Sequence, residues 1–161
     1  PGAVRQLALE VSKGLQVTHS NLLRIHGFEM GPPAHVVMEM VDGETLTQRW
    51  VARRRQLGFD ELRPILVSVL RGLGHLHHAR LVHRDVKPDN VMISKDGQVK
   101  LTDFGVSASL GEQLSGAVGS AGTLRYMAPE ALRGEICDAR TDVYAVGLMA
   151  YQLLTGGFPC A

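Results

Sequence analysis

One long amphipathic segment restricts this chain more than any other feature of its sequence. Apolar residues recur there at intervals of three and four, which places them on one face of a helix: Leu62, Ile65, Leu66, Val69, Leu73 and Leu76. Asp60 is the predicted N-cap of this helix. A second segment, residues 142–154, is apolar nearly all round and is followed by Gly156, Gly157 and Pro159. We expect it to form a helix that is buried on most sides.

Shorter segments around these helices have strand and turn patterns. Residues 22–28 and 35–41 are rich in Val, Ile and Met and flank a Gly-Pro-Pro breaker, which predicts paired strands. Asp96-Gly97 separates the β-rich runs 90–94 and 98–102 and predicts a hairpin. The remaining segments are predicted as helices over 3–17 and 47–55 and as a long loop over 105–122.

Composition excludes several classes of protein. The chain has 161 residues and a formal net charge of +1, so neither disorder nor a nucleic-acid partner is expected. The short basic run Arg49, Arg53, Arg54 and Arg55 is interpreted as a solvated helix face. The N-terminal residues lack the pattern of a signal peptide, and the longest mostly apolar run, 143–151, is shorter than the roughly 20 residues that a membrane span needs. We therefore expect a cytoplasmic domain without a membrane span.

Cysteines and histidines indicate no soft-metal site. Cys137 and Cys160 do not form a disulfide framework, and both are expected to be reduced. Four histidines lie close together in the sequence, but they lack ligand spacing and are interpreted as helix-end residues that interact with the dipole: His75, His77, His78 and His83.

Three motifs in a fixed order carry the chemistry. Residues 83–90 read HRDVKPDN, Asp103-Phe104-Gly105 follows, and residues 122–130 read GTLRYMAPE. His-Arg-Asp alone is more often a turn or a surface ion pair, and Asp-Phe-Gly alone is a common turn. Together the three motifs resemble the catalytic domain of eukaryotic-type serine/threonine protein kinases. The resemblance implies an α+β, kinase-like two-lobed fold that is truncated at both ends. Residues 1–41 would be the remainder of the small lobe and the hinge, and residues 42–161 a partial, mainly helical large lobe.

These residue types suit the transfer of the γ-phosphate of ATP to a protein serine or threonine. Asp85 can accept the proton of the attacking hydroxyl, and Lys87 can place a cation on the transferred group. Asn90 and Asp103 offer the hard oxygen ligands that Mg²⁺ prefers when it is shared with nucleotide phosphates. Lys87 and Tyr126 resemble the serine/threonine class rather than the tyrosine class of kinases.

The resemblance also assigns residues to a nucleotide pocket. Glu10 resembles the ion-pairing glutamate of the kinase αC helix. Met38 resembles the gatekeeper, and the backbone of Glu39 and Val41 is then expected to contact adenine. Met92 would line the pocket floor.

Two further roles follow from the same resemblance. Asp142 resembles the buried acid that holds the backbone of the catalytic loop. Residues 103–130 resemble an activation segment, in which a phosphate on Ser115 or Ser120, added by an upstream activating kinase, would meet Arg84. Serines that only keep this loop soluble are an equally weighted alternative.

Two departures from the kinase pattern concern completeness. No glycine-rich loop or strand lysine precedes Glu10, and no further large-lobe helices follow residues 142–154. We expect a fragment that is inactive alone. A pseudokinase or scaffold and a small-molecule phosphotransferase are the alternatives. The pseudokinase alternative is disfavoured because four polar residues are all present: Asp85, Lys87, Asn90 and Asp103. The 122–130 motif disfavours the small-molecule phosphotransferase.

Overall fold

The structure is a computed structural model that describes residues 11, 15–31, 33–103 and 124–159, and the backbone of residues 108–109. Its strands are β1 (Ile25–Glu29), β2 (His35–Met38), β3 (Gly43–Thr45), β4 (Leu81–Val82), β5 (Val91–Ser94), β6 (Val99–Leu101) and β7 (Ala108–Ser109). Its helices are α1 (Leu46–Ala52), α2 (Phe59–His78), α3 (Pro129–Leu132) and α4 (Ala139–Thr155), with a 3₁₀ turn at Pro88–Asn90. The helix predicted over residues 3–17 lies mostly outside the described residues.

The two predicted strands near the N-terminus form an antiparallel pair. β1 and β2 are aligned so that Ile25 lies opposite Met38 and Glu29 opposite His35. The prediction of paired strands is confirmed, but β1 begins three residues later than predicted. Leu22 instead forms an isolated parallel bridge with Leu101 of β6. This bridge connects the β1–β2 pair to the rest of the molecule.

The predicted Asp-Gly hairpin is also confirmed. β5 and β6 are antiparallel, and Gly97 has φ +84°, the left-handed conformation that glycine adopts readily in such turns. β3 pairs with the other edge of β5, which gives the sheet order β3-β5-β6. Thr45 at the end of β3 then caps α1, because its side chain accepts the Gln48 N–H while the Gln48 side chain accepts the Thr45 N–H.

α2 buries the face predicted from its sequence. Its buried positions are Leu62, Ile65, Val69, Gly72, Leu73 and Leu76. The N-cap, however, is Gly58 with extended backbone, so the prediction of Asp60 was wrong. Asp60 lies inside the first turn, where a carboxylate still interacts favourably with the helix dipole.

α4 packs against α2 and β4 on one side. Asp138 caps its N-terminus, and Gly156 ends it in the left-handed conformation with φ +85°. The prediction of a helix buried on most sides was wrong, since Val143, Tyr144 and Tyr151 are exposed in the described structure. In the part of the chain that the structure describes, no helix is long and apolar enough to cross a membrane.

The arginine run does not form a helix face. α1 ends at Ala52, and Arg54 and Arg55 in the following turn have left-handed backbones with φ 57° and 63°. Arg49 pairs with Glu44 at 2.8 Å. The predicted long loop differs as well where it is described, because Ala108–Ser109 pair with β4 as β7.

A single cluster of buried apolar side chains connects these elements. It receives Leu46 and Trp50 from α1, the buried face of α2, and Val146, Met149 and Leu153 from α4. Val91, Ile93, Val99 and Leu101 contribute from β5 and β6. The chain between β4 and β5, residues 83–90, therefore crosses the edge of a packed core.

Candidate active site

Asp142 anchors the backbone of the 83–90 loop. Its side chain is fully buried at the N-terminal end of α4. Oδ2 accepts the His83 N–H at 2.9 Å, and Oδ1 accepts the Arg84 N–H at 2.8 Å. Arg84 has φ 68°, a conformation that costs about 1–3 kcal/mol in a non-glycine residue and persists where the surroundings impose it. The predicted role of Asp142 in holding this loop is confirmed.

His77 is a member of this cluster that the sequence did not reveal. Its Nε2 lies 2.7 Å from Asp142 Oδ2, so the last turn of α2, the start of α4 and the loop meet at one carboxylate. We interpreted His77 only as a helix-end residue. Because 65 positions separate it from Asp142, no local spacing signals the pair.

His83 connects the loop to the end of β6. Nε2 donates to the Thr102 carbonyl at 2.9 Å, and Nδ1 accepts the Asp85 N–H at 3.3 Å, which fixes the tautomer. The ring is fully buried, and burial lowers the pKa of His83 below 6.5, although the Asp142 carboxylate opposes this shift. A helix-end position was wrong for this histidine, which is a neutral part of the interior.

The structure brings the three predicted catalytic residues into direct contact. Lys87 Nζ lies 3.0 Å from Asp85 Oδ1 and 2.7 Å from Oδ2. Asn90 Nδ2 donates to the Asp85 carbonyl at 2.8 Å and to Asp85 Oδ2 at 2.9 Å. The Asp85 carboxylate is thus held from two sides and remains partly exposed, at 23%. Among the described residues, nothing donates to the Oδ1 of Asn90.

Asp103 lies next to this group. Thr102 donates its N–H to the Asn90 carbonyl at 2.8 Å, which places the following residue, Asp103, beside the loop. Asp103 is exposed and has φ 60°, and its carboxylate forms no hydrogen bond within the described residues. Among the described residues, Asn90 Oδ1 and the Asp103 carboxylate are therefore both available to bind a cation.

The predicted adenine-contacting segment follows β2. Glu39 donates its N–H to the Arg24 carbonyl at 2.8 Å, and its carboxylate pairs with Lys100 Nζ at 2.9 Å. Partial burial raises the pKa of Glu39, but Lys100 and the Arg24 N–H outweigh burial and hold the pKa below its ordinary value. Within the described residues, the Glu39 carbonyl and the Val41 N–H form no hydrogen bond. Met92 lies opposite Lys100 in the β5–β6 register.

Not every predicted site residue shares one cavity. Glu39 and Val41 line a cavity of about 350 Å³ with the 94–98 turn, whereas Asp85, Asn90 and Met92 do not. Met38, the predicted gatekeeper, is 44% exposed. Glu10, Ser115 and Ser120 lie outside the described residues. In the described ranges, no group of three or more His, Cys, Asp or Glu side chains is arranged to hold a metal ion.

Tyr126 of the third motif packs against the C-terminal part of α4 and Phe158. Its hydroxyl donates to Gln152 Oε1, and its ring meets Phe158 edge to face with centroids 5.3 Å apart. Burial, together with the charge of Asp89, raises the pKa of Tyr126 to about 12. Glu130 accepts a hydrogen bond from Thr141 at 2.8 Å. These contacts hold residues 124–130 against α4.

Comparison with known proteins agrees with this geometry. Residues 3–161 match the family model described as the protein kinase domain. The chain belongs to the protein kinase family.

Individual relatives are bacterial serine/threonine kinases by name. The chain is 34% identical over 159 residues to the probable serine/threonine-protein kinase PknB of Lactococcus lactis, covering 98% of this chain and 25% of that protein. It is 31% identical over 158 residues to the serine/threonine-protein kinase PrkC of Bacillus subtilis, covering 97% and 24%. For the serine/threonine-protein kinase PknL of Mycobacterium tuberculosis the identity is 43% over 125 residues, covering 77% and 31%. The chain therefore spans about a quarter to a third of the length of these relatives.

Proposed function

We propose that this chain is part of a serine/threonine protein kinase that transfers the γ-phosphate of ATP to a hydroxyl of a protein substrate. The observation that carries the proposal is the Asp85 group. The partly exposed Asp85 carboxylate is held by the Lys87 ammonium and the Asn90 amide. Next to it, Asn90 Oδ1 and the Asp103 carboxylate accept no hydrogen bond from the described residues. The proposed division is residues 1–41 as the remainder of the small lobe and the hinge, and residues 42–161 as a partial large lobe.

The open oxygen atoms fit a magnesium nucleotide. Asn90 Oδ1 and the Asp103 carboxylate are hard donors, and neither forms a hydrogen bond within the described residues. Two protein ligands are the number expected where Mg²⁺ keeps waters and shares phosphate oxygens. When bound there, Mg²⁺ neutralises charge that develops on the transferred group.

Asp85 is the proposed base of the reaction. Its carboxylate can accept a proton from a substrate hydroxyl, while Lys87 and Asn90 fix its orientation. Lys87 lies close enough to Asp85 to stabilise negative charge at the same point. Asp142 holds the loop backbone that positions all three side chains, so it acts as a positioning residue.

The adenine base is proposed to bind at Glu39 and Val41. Within the described residues, the Glu39 carbonyl and the Val41 N–H have no hydrogen-bond partner. This acceptor and donor, two residues apart, match a heterocycle that offers one donor and one acceptor. Met92 is proposed to cover the base from below. Glu10, which lies outside the described residues, is proposed as the ion-pairing glutamate of the nucleotide pocket. Inactivity of the 161 residues alone stays a prediction, as does regulation by phosphorylation of Ser115 or Ser120 through Arg84.

Asp85→Asn tests the proposal in the full-length protein. We expect turnover on a serine or threonine peptide to fall by about 10²- to 10⁴-fold, because the proton acceptor is lost while ATP ligands remain. Asp89→Asn is the matched control, since Asp89 is an exposed carboxylate in the same loop. It should retain nearly full turnover.

The readout is transfer of labelled phosphate together with the dissociation constant for ATP. If Asp85→Asn kept the turnover of the unaltered protein, Asp85 would not be the base. ATP binding without any transfer by the unaltered protein would favour the scaffold alternative.

A further inference from the structure

A second cavity, of about 660 Å³, lies where the ends of α1 and α4 meet residues 124–130. Its described lining consists of two arginines, two aromatic residues, a glutamine and a pair of glycines: Arg55, Arg125, Trp50, Phe158, Gln152, Gly156 and Gly157. No acidic side chain belongs to this lining. The volume is in the range of sites that bind small ligands or several side chains.

Neither arginine in this cavity has an acidic partner among the described residues. Arg55 lies over the Trp50 ring with its guanidinium carbon 5.7 Å from the centroid, and Arg125 lies over Phe158 at 5.5 Å. No carboxylate is within ion-pair distance of either guanidinium in the described part of the chain. Four other arginines, in contrast, each pair with an acid: Arg49, Arg53, Arg133 and Arg140. The cavity thus presents positive charge that the described residues leave uncompensated.

The wall that carries Arg55 is fixed by backbone contacts. The Arg55 N–H donates to the Trp50 carbonyl at 2.8 Å, and φ of Arg55 is 63°. A Cβ at Gly156 would lie 3.2 Å from the Arg55 carbonyl, so the glycine permits this close approach. Leu57 also donates its N–H to the Leu153 carbonyl at 2.9 Å. The two helix ends hold Arg55 in a defined position.

Elements that line the cavity also contact the loop that carries Asp85. α1, which supplies Trp50, packs against the 3₁₀ turn Pro88–Asn90. On the other side, Tyr126 contacts Phe158 and donates to Gln152, and Asp89 of the loop is close enough to influence Tyr126 electrostatically. A peptide whose hydroxyl reaches Asp85 would extend past this cavity.

We propose that the cavity formed by Arg55 and Arg125 binds an acidic side chain of the peptide substrate, in the segment that flanks the accepting serine or threonine. Guanidinium groups pair with carboxylates and phosphates through paired N–H donors, so glutamate and phosphoserine share the required chemistry. The inference rests on the proposed kinase function.

Peptide selectivity of the full-length protein tests the proposal. Peptides that differ only in whether Glu, Gln or Lys flanks the serine are compared by kcat/KM. We expect the Glu peptides to be preferred, and we expect Arg55→Gln and Arg125→Gln each to lower that preference by about 5-fold, as for a partly exposed ion pair. Arg125→Glu should shift the preference toward the Lys peptide.

Arg54→Gln is the matched control for these variants. Arg54 precedes Arg55, has a similar left-handed backbone with φ 57°, and does not line the cavity. It should leave the preference unchanged. Equal kcat/KM for Glu, Gln and Lys peptides, with phosphate transfer intact, would overturn the inference and leave the proposed function standing.

If the protein transfers no phosphate, a binding measurement tests the cavity proposal separately from the proposed kinase function. Trp50 is the one tryptophan of the chain, so in a full-length protein with any other tryptophan replaced its fluorescence reports directly on the cavity. Titration with the Glu peptide should change this fluorescence at lower concentrations than the Gln peptide, and phosphoserine peptide should act like Glu. Inorganic phosphate alone should compete only weakly, and competition equal to that of the peptides would show a free-anion site instead. An identical response to Glu and Gln peptides would overturn the inference.

Discussion

His83 joins two parts of the site through one ring. Its backbone N–H reaches Asp142, and its side chain spans from the Thr102 carbonyl to the Asp85 N–H. It is the one histidine among the described residues that is fully buried. A ring that must donate at Nε2 and accept at Nδ1 can do both only when it is neutral.

The neutrality of His83 predicts how stability changes with pH. Burial lowers its pKa in the folded state below 6.5, so the unfolded chain binds more protons at mildly acidic pH. Stability is therefore complete above pH 6.5 and decreases as the pH falls from 6.5 toward the lower folded-state pKa. His83→Gln should flatten this slope, because Gln does not titrate.

Urea unfolding of the full-length protein between pH 8 and about 5 measures this effect, and His26→Gln is the control because His26 is exposed. His19, whose pKa is also lowered by burial and by His75, acts in the same direction. If the free energy of unfolding changed with pH equally in His83→Gln and in the unaltered protein, His83 would not be the cause of the pH dependence.

Two of the five described non-glycine residues with positive φ lie beside the Asp85 group. Arg84 and Asp103 both have left-handed backbones although neither is glycine, and they flank Asp85 and Asn90. Such conformations occur where the surrounding contacts impose them. The hydrogen bond from the Arg84 N–H to Asp142 supplies that constraint for Arg84.

At the scale of elements, α2 offers a matched pair of glycines. A Cβ at Gly72 would lie 2.9 Å from the Asn21 carbonyl oxygen and 3.1 Å from a Leu22 side-chain carbon, whereas Gly74 has nothing within 4 Å. The Asn21 carbonyl already accepts the Leu101 N–H, so it cannot move freely. Gly72 therefore permits the close packing of α2 against the chain that leads into β1.

We expect alanine at these two positions to have opposite effects. Gly74→Ala should raise the free energy of unfolding by about 0.5–1 kcal/mol, because alanine is the better helix former. Gly72→Ala should lower it by about 1–3 kcal/mol through overpacking. Urea denaturation of the full-length variants compares them directly. Equal shifts of the same sign would show that helix propensity, and not packing at Asn21, decides both positions.

Sequence patterns predicted those elements whose signals are local. The Asp96-Gly97 turn and the apolar face of α2 each depend on neighbouring residues, and both are present in the structure. The N-cap of α2 was misplaced, since Gly58 has no side chain to signal a cap. The arginine run was misassigned because left-handed residues after Ala52 end α1 early, and no residue there is a glycine or proline.

Contacts between distant parts of the chain required the structure. The acid at Asp142 was expected from the kinase resemblance, but its third partner, His77, was not. The pairing of Tyr126 with Gln152 is likewise invisible in either local segment. The cavity of Arg55 and Arg125 unites residues 70 positions apart, so the arginine run seemed merely solvated. The spacing of apolar residues along a helix or strand indicates which of its faces is buried. It does not indicate which residues pack against that face.

At the scale of the whole molecule, two polar contacts among the described residues hold the β1–β2 pair against the larger core, and Ile25 of β1 adds apolar packing. One is the backbone connection of Leu22 and Leu23 with Leu101. The other is the ion pair between Glu39 and Lys100, whose side chains are 31% and 12% exposed. Because Glu39 also belongs to the proposed adenine-binding segment, this ion pair connects nucleotide binding with the attachment of the β-pair.

Removing the Lys100 charge should loosen this attachment without unfolding the core. In Lys100→Met, the apolar stem is kept while the ion pair and the lowered pKa of Glu39 are lost. We expect opening of residues 25–38 to become easier by about 1 kcal/mol, which is the value of a partly exposed ion pair. Native-state hydrogen exchange should show faster exchange in β1 and β2 and unchanged exchange in α2 and α4.

Lys95→Met is the control for this experiment. Lys95 forms an ion pair with Asp42 at 2.9 Å, on the same β5–β6 hairpin, but both side chains are largely exposed, at 77% and 68%. Its removal should leave exchange in β1 and β2 unchanged, because screening by solvent makes such a pair weak. Lowering the pH through the depressed pKa of Glu39 should reproduce the Lys100→Met effect, since protonation removes the same charge. If β1 and β2 exchanged at the same rate in both variants, the Glu39–Lys100 ion pair would contribute nothing measurable to holding the β-pair in place.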